Sequence, residues 1–204
     1  MTQPATVREA LRQATDPIHA RLHGVPALRA LAAGCIDRAG YVALLRRMLG
    51  FHAAVEAALA VAPSLAAWDI DVRERRRAWL IEADLAWLGL PAGHVAPAPL
   101  PPLGSPARAL GCLYVSEGST LGGRQLARAL DALLPPGPAG RRFLLGHGEE
   151  HGAMWRACCA ALETCGADPV ARAEMLDAAA GTFAAFEAWF APVTEGVALP
   201  PGDG

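Results

Sequence analysis

The sequence contains no lysine, and all eighteen of its basic residues are arginine. Together with the abundance of alanine, this indicates a nucleotide bias in the source genome, so an arginine has functional meaning only where its position gives it one. The net charge is −2, and no acidic or basic block occurs along the chain. A nucleic-acid partner is therefore not predicted.

Long hydrophobic runs are also missing. No eighteen successive residues are apolar, and residues 1–12 lack the basic start and apolar stretch of a secretion signal. The five cysteines are an odd number and form no C-x-x-C pair, so neither a disulfide framework nor a thiolate zinc site is predicted. We therefore expect a cytoplasmic protein with no membrane span.

The period-two alternation of β-strands is absent, and apolar residues recur instead every three or four positions. With 204 residues, 53% of them hydrophobic, the chain is long enough to build one core. We predict an all-α protein with a single domain over residues 1–204, in which residues 1–5 and 192–204 are flexible tails.

Caps, prolines and glycines predict the helix boundaries. Thr6 and Glu9 form a capping box that begins the first helix, and Pro17 predicts a kink or a restart within it. The other predicted helices span residues 26–33, 37–62, 71–88, 105–134, 141–165 and 168–190. In the 71–88 helix, we expect one group of side chains to face solvent, namely Arg73, Arg75, Arg76 and Arg77. A second group should face inward, namely Trp79, Leu80 and Trp87.

Glycines interrupt the predicted 105–134 helix at Gly118, Gly122 and Gly123. Each interior glycine destabilises a helix by about 1 kcal/mol relative to alanine, so some close approach must offset the loss. Spacings of four, three and four put Gly111, Val115, Gly118 and Gly122 on one stripe. Two readings follow: a flat ligand lies against the bare backbone, or a neighbouring helix packs tightly there.

Histidines give two candidate sites. On the first helix, His19 shares a face with Arg12, Thr15 and His23. An imidazole on a helix face can bind iron or zinc, and Arg12, about 10 Å away, could reach an anionic part of the same ligand. The alternative is a histidine at a helix packing seam. His52 and His94 show no such pattern, and we expect no chemistry from them.

The second candidate is His147-Gly148-Glu149-Glu150-His151, which matches the H-x-x-E-H spacing of one class of zinc peptidase. Glycines at 146, 148 and 152 are unfavourable for a rigid ligand-bearing helix. No third ligand is evident beyond generic glutamates such as Glu163, Glu174 and Glu187. A zinc hydrolase that uses His147 and His151 is therefore a minor alternative.

Three motifs in order resemble the heme oxygenases, within them the bacterial biliverdin-producing group often found beside bacteriophytochromes. The first is Leu11-Arg12-x-Ala14-Thr15-x-x-x-His19, and the second is Leu113-Tyr114-Val115-x-Glu117-Gly118-Ser119-Thr120-Leu121-Gly122-Gly123. The third comprises Gly146-x-Gly148, Met154-Trp155 and Thr182-Phe183-x-x-Phe186-x-x-Trp189. The resemblance implies a multi-helical bundle with heme between a proximal helix and a glycine-rich distal helix.

The resemblance also implies roles for individual residues. His19 would be the axial ligand of heme iron, and Arg12 and Arg156 would pair with the heme propionates. Gly118, Ser119, Thr120, Gly122 and Gly123 would shape the distal oxygen site. The remaining implied contacts to heme are Thr15, Tyr114 and Phe183. Phe183 is equally well explained as a core residue.

As a heme oxygenase, the protein would use O2 and an external electron donor, a ferredoxin or a reductase, to open heme to biliverdin, ferrous iron and carbon monoxide. A bacteriophytochrome would be a natural acceptor for the biliverdin. Two departures stand out. Ser119-Thr120 stands where many members have a distal aspartate, so hydroxyls and water would deliver the protons. His147 stands where relatives usually have an aromatic residue. A heme carrier without oxygenase activity is the main alternative.

Overall fold

A computed structural model describes residues 5–91, 93 and 95–191 of the chain. These residues contain helices and no strand, which confirms the all-α prediction. His94 and most of the predicted tails, residues 1–4 and 192–204, lie outside the described residues. The α-helices of the described part are α1 (Val7–Leu22), α2 (Pro26–Ala32), α3 (Arg38–Val61), α4 (Ala78–Trp87), α5 (Pro106–Gly118), α6 (Gly123–Ala129), α7 (Arg142–Leu145), α8 (His151–Cys165) and α9 (Pro169–Phe190).

The helices that begin with a side-chain cap start where the sequence predicts. Thr6 and Glu9 form both bonds of the predicted capping box at α1. Asp37 accepts a hydrogen bond from the Gly40 amide at the start of α3, and Asp168 caps α9 in the same way. Helix α1 continues through Pro17 and does not restart there.

The predicted 71–88 helix is wrong over its first seven residues, which form turns. Asp71 accepts a hydrogen bond from the Arg73 amide at 2.8 Å, a local bond that competes with the helix. Glu56 of α3 then accepts bonds from the Arg77 and Ala78 amides and so caps α4 at its N-terminus. The helix therefore begins where a tertiary contact satisfies its free amides.

Several side chains of this segment also face the opposite way from the prediction. The side chains of Arg75 and Arg77 are buried. Trp79 and Trp87 are 57% and 43% exposed, and only Leu80 points inward as expected. Periodicity failed here because the arginines have buried polar partners that the local sequence does not reveal.

Two other long helices predicted from the sequence are divided. The 105–134 helix ends at Gly118, restarts at Gly123 and finishes at Ala129. The 141–165 helix is broken between α7 and α8, where Gly146 and Gly148 have φ values of 61° and 62°. Such left-handed backbone is accessible to glycine at little cost and ends a helix.

Helix α9 organises the part of the fold that holds the candidate site. Both α5 and α1 pack along α9, and both also contact α8, but α1 and α5 make hardly any backbone contact with each other. At Gly111, a Cβ would lie 2.3 Å from the Met175 carbonyl oxygen of α9, so glycine permits the close approach of α5 and α9. Helices α8 and α9 thus pack against both α1 and α5, and we call the region between α1 and α5 the α1/α5 cleft.

Candidate functional site

The predicted ligand face of α1 borders the α1/α5 cleft. His19 and Arg12 are exposed, whereas Thr15 is buried and its hydroxyl donates to the Leu11 carbonyl at 2.8 Å. The ring of His19 contacts Phe183 of α9 edge-to-face, with centroids 6.1 Å apart. His19 makes no hydrogen bond or ion pair with any described residue, so its ring nitrogens are available to a ligand.

Tyr114 connects the two helices across the cleft. Burial raises the pKa of Tyr114, and the nearby Thr15 side chain opposes that shift. The Tyr114 ring also lies 5.9 Å from the Trp155 ring of α8. Since His19 is one turn beyond Thr15 and Gly118 is one turn beyond Tyr114, this contact fixes the axial-ligand candidate relative to the glycine-rich turn.

Two arginines are available for an anionic group. Arg12 is exposed and makes only a loose pair with Asp16, at 3.6 Å. Arg156, near the start of α8, is exposed and has no ion pair or hydrogen bond among the described residues. Two guanidinium groups, one unpaired and one only loosely paired, on helices that border the same cleft suit a ligand with carboxylates.

The residues of the 119–122 turn, which joins α5 to α6, surround the end of α5. The Ser119 hydroxyl donates to the Ser116 carbonyl at 2.7 Å. The Thr120 hydroxyl donates to the Glu117 carbonyl, and its oxygen lies 2.8 Å from a ring nitrogen of His151. Both hydroxyls therefore bond to carbonyls in the last turn of α5.

Some of the glycines leave open space for a ligand, and others permit close helix packing. A Cβ on Gly122 would meet no atom within 4 Å, and one on Gly118 would only touch Trp155 at 3.6 Å. In contrast, a Cβ on Gly123 would lie 2.1 Å from the Leu144 carbonyl oxygen. Gly111 and Gly123 therefore serve helix packing, while Gly118 and Gly122 leave bare backbone. The predicted distal role of Gly123 stays a prediction.

A cavity of about 70 Å³ lies behind the 119–122 turn. It is large enough for a few water molecules, and Ser119 and Thr120 line it. The remaining lining residues are Met48, His52, Arg77, Gly123, Leu126, Phe143, Leu144 and Phe186. The hydroxyls that the sequence predicts at the distal site thus border a cavity that can hold water.

Sequence reasoning missed His52 and Arg77, which are both buried in this lining. Arg77 donates hydrogen bonds to the Ser116 carbonyl at 2.5 Å and to the Ser119 hydroxyl at 3.2 Å. Its guanidinium also lies over the Phe143 ring at 5.2 Å. The four arginines of residues 73–77 gave no signal that two of them would be buried.

Burial dominates the electrostatics around the turn. It lowers the pKa of Arg77 to about 10, although Glu117 and Glu56 oppose the shift, so the guanidinium remains charged at neutral pH. Burial also lowers the pKa of His52 well below 6.5, with Arg77 adding to the effect. For Glu117, burial raises the pKa while the buried ion pair with Arg75 lowers it. A neutral imidazole and a fixed cation therefore border the cavity.

The H-x-x-E-H candidate does not have the geometry that its spacing suggests. His147 lies in the turn before α8, His151 is the first residue of α8, and Gly148 between them has a positive φ. In the described part of the chain, no three metal-ligating side chains cluster together. His151 instead faces Thr120.

Comparison with known proteins identifies the family. The family model "Heme oxygenase" matches residues 99–192. A heme oxygenase from Xanthomonas campestris pv. campestris is 35% identical over 164 residues, which cover 78% of this chain and 93% of that protein.

Solved structures agree in fold. The NO- and CO-bound heme oxygenase from Neisseria meningitidis has a TM-score of 0.77 at 25% identity, over 98% of this chain and 99% of that chain. Heme oxygenase-1 from Synechocystis sp. PCC6803 in complex with heme has a TM-score of 0.71 at 17% identity, over 94% and 93% of the two chains, and shows the same fold. On the sequence relationship and the shared fold, this chain belongs to the heme oxygenase family.

Proposed function

We propose that the α1/α5 cleft holds the heme that this heme oxygenase opens, with His19 as the axial ligand of the iron. The observation that supports this most directly is the Thr15–Tyr114 contact. His19, an exposed imidazole without a partner, lies one turn from Thr15. The bare backbone of Gly118 lies one turn from Tyr114, on the opposite helix. A planar macrocycle needs a ligand on one side and free space on the other, and this pair of helices offers both.

Arg12 and Arg156 orient the heme by pairing with its two propionates, and Tyr114 contributes a further contact to the heme. Guanidinium groups suit this task because they can bind carboxylates through two parallel hydrogen bonds. Phe183, half-buried against His19, supplies an apolar contact to the ring.

The 119–122 turn forms the distal wall. Gly118 and Gly122 have no side chains that would occupy the space where O2 binds. Ser119 and Thr120 join that space to the water-sized cavity, and Arg77 fixes the position of the Ser119 hydroxyl. We infer that these hydroxyls and water in the cavity carry protons to the site, as general acids at the end of a water chain.

Bound heme supplies the iron that activates O2 for attack on its own ring. The reaction takes electrons from an external donor, for which we propose a ferredoxin or a reductase, and yields biliverdin, ferrous iron and carbon monoxide. We propose a cytoplasmic location and, as one acceptor of the biliverdin, a bacteriophytochrome. No helix in the described residues is long and apolar enough to cross a membrane.

The test adds hemin to purified protein, then a reductant in aerated buffer, while the Soret band and the red region are recorded. We expect the Soret band to disappear as the broad absorption of biliverdin grows. A Soret band that persists would favour a heme carrier and would contradict turnover.

The axial ligand is tested with His19→Ala. This variant should bind heme more weakly and lose turnover, and added imidazole should restore turnover because it can take the empty ligand position. Unchanged turnover without imidazole would exclude His19 as the axial ligand. His23→Gln is the matched control, because it changes a histidine one turn away on the same helix. Its turnover shows whether the loss is specific to His19.

A further inference from the structure

The C-terminal turn of α1 carries a second imidazole beside His19. His23 is four residues further along and is the C-cap of α1, with φ −63° and ψ −20°, so it keeps a helical backbone and lies on the same face. Both histidines are exposed, and their ring centroids are 5.0 Å apart. The heme site described above uses only one of them.

This separation matches what two imidazoles need to share one metal ion. A ring nitrogen binds zinc at about 2.0–2.1 Å, so each ring centroid would lie roughly 3.2 Å from the ion. At a tetrahedral angle, the two centroids would then be about 5.2 Å apart. The observed separation of 5.0 Å is close to this value.

Nearby charges leave the pair free to bind a cation. Arg21, between the two histidines in sequence, is engaged by Glu187 through two hydrogen bonds of 2.6 and 2.9 Å. Arg12 pairs with Asp16. Neither histidine has a hydrogen-bond partner among the described residues, so no existing bond has to be broken for a metal ion to bind.

We propose that His19 and His23 form a two-histidine chelate that binds a divalent transition-metal ion when heme is absent. Imidazole nitrogens suit zinc, copper, nickel and ferrous iron, and water would fill the remaining coordination positions. Since His19 is also the proposed ligand of heme iron, the ion and heme compete for it, and this consequence rests on the proposed function. The ferrous iron released from heme belongs to the same class of ion.

The experiment titrates Zn²⁺ into tag-free, heme-free protein by calorimetry in a buffer that does not bind metals. We expect one equivalent to bind to the wild type. In His23→Gln and in His19→Ala the affinity should fall at least about 10- to 100-fold, because loss of a direct ligand weakens a site at least as much as loss of an outer-shell partner. Circular dichroism checks that each variant is folded.

His151→Gln is the matched control, because His147 and His151 have the same spacing without a shared helix. It should bind Zn²⁺ as the wild type does. Equal affinity in wild type and His23→Gln would overturn the proposal, and so would loss of binding in His151→Gln alone or no binding to the wild type.

A final titration uses protein already loaded with heme, and zinc should no longer bind. If zinc binds equally well to the heme-loaded protein yet is lost in His23→Gln, the two-histidine site stands and the placement of heme on His19 fails. The two proposals can therefore fail separately.

Discussion

At the scale of single residues, neighbouring glycines have unrelated reasons to be glycine. Gly122 faces open space, while Gly123 contacts the Leu144 carbonyl so closely that no side chain fits. Both lie in a near-helical backbone, so the difference comes entirely from what lies opposite them. A motif that reads Gly-Gly therefore combines open backbone with a packing contact.

Leucine substitutions should separate these two roles. Gly122→Leu should fold with wild-type stability to within about 1 kcal/mol and lose heme turnover, because its side chain enters the proposed oxygen site. Gly123→Leu, its matched partner, should destabilise the protein by more than about 4 kcal/mol or prevent folding, since α6 would have to move away from α7. Urea unfolding and the hemin assay measure the two effects. A fully active Gly122→Leu protein would contradict the distal role of the turn.

His52 should make stability depend on pH. Its pKa in the folded protein lies below 6.5, so below pH 6.5 the unfolded chain takes up a proton that the folded protein does not. Stability is therefore complete above pH 6.5 and falls as the pH decreases, approaching about 1.4 kcal/mol per pH unit from this group. Urea unfolding of wild type and His52→Gln at pH 7.5, 6.5 and 5.5 should show a shallower decline in the variant. The difference between wild type and His52→Gln cancels the contributions of His147 and His151, whose pKa values are also lowered.

At the scale of elements, the break between α5 and α6 depends on a segment distant in sequence. Residues 71–77 cross the end of α5, where Arg77 binds the Ser116 carbonyl and Arg75 pairs with Glu117 and with the Met154 carbonyl of α8. These contacts satisfy the end of the helix, so the chain can leave it at Gly118. The 119–122 turn is thus positioned by arginines that lie outside it in sequence.

Removing the buried carboxylate should show how strongly this segment is held. Glu117→Ala leaves the Arg75 guanidinium buried without its partner, and we expect it to lower the free energy of unfolding by about 3–5 kcal/mol. Arg73→Ala, which removes a salt bridge whose arginine side chain is 83% exposed, should cost at most about 1 kcal/mol. Urea unfolding compares the two, and equal effects would mean that the Arg75–Glu117 pair does not hold the segment.

At the scale of the whole molecule, two clusters of buried apolar residues meet along α3 and α9. One contains Leu110, Leu113 and Met175, and the other contains Leu45 and Phe190. Phe186 and Trp189 of α9 pack against both clusters. This shared contact is the physical basis for expecting a single domain.

Thermal unfolding tests that expectation. Transitions followed by far-UV circular dichroism and by tryptophan fluorescence should coincide, as they do when one domain unfolds cooperatively. Heme in excess should raise the midpoint of both transitions together, because a ligand that binds only the folded state stabilises it. Two separate midpoints would indicate two domains.

The helical class, the starts of α1, α3 and α9, and the family motifs that contain His19 and Gly118 could all be predicted from the sequence alone. These features depend on neighbours within a few positions, where hydrogen bonds and side-chain periodicity act locally. Local patterns therefore sufficed for them.

Tertiary contacts set where the long helices break, which arginines are buried and which glycines face open space. Residues 71–77 are not helical because Glu56 accepts a hydrogen bond from the Arg77 amide and Glu117 pairs with the Arg75 guanidinium. Position 123 requires glycine because the Leu144 carbonyl lies against it. Such contacts join residues dozens of positions apart, and the stability they provide exceeds the local helix preference. A single sequence does not specify those pairings, so the cavity lined by His52 and Arg77 appears only when the chain is folded.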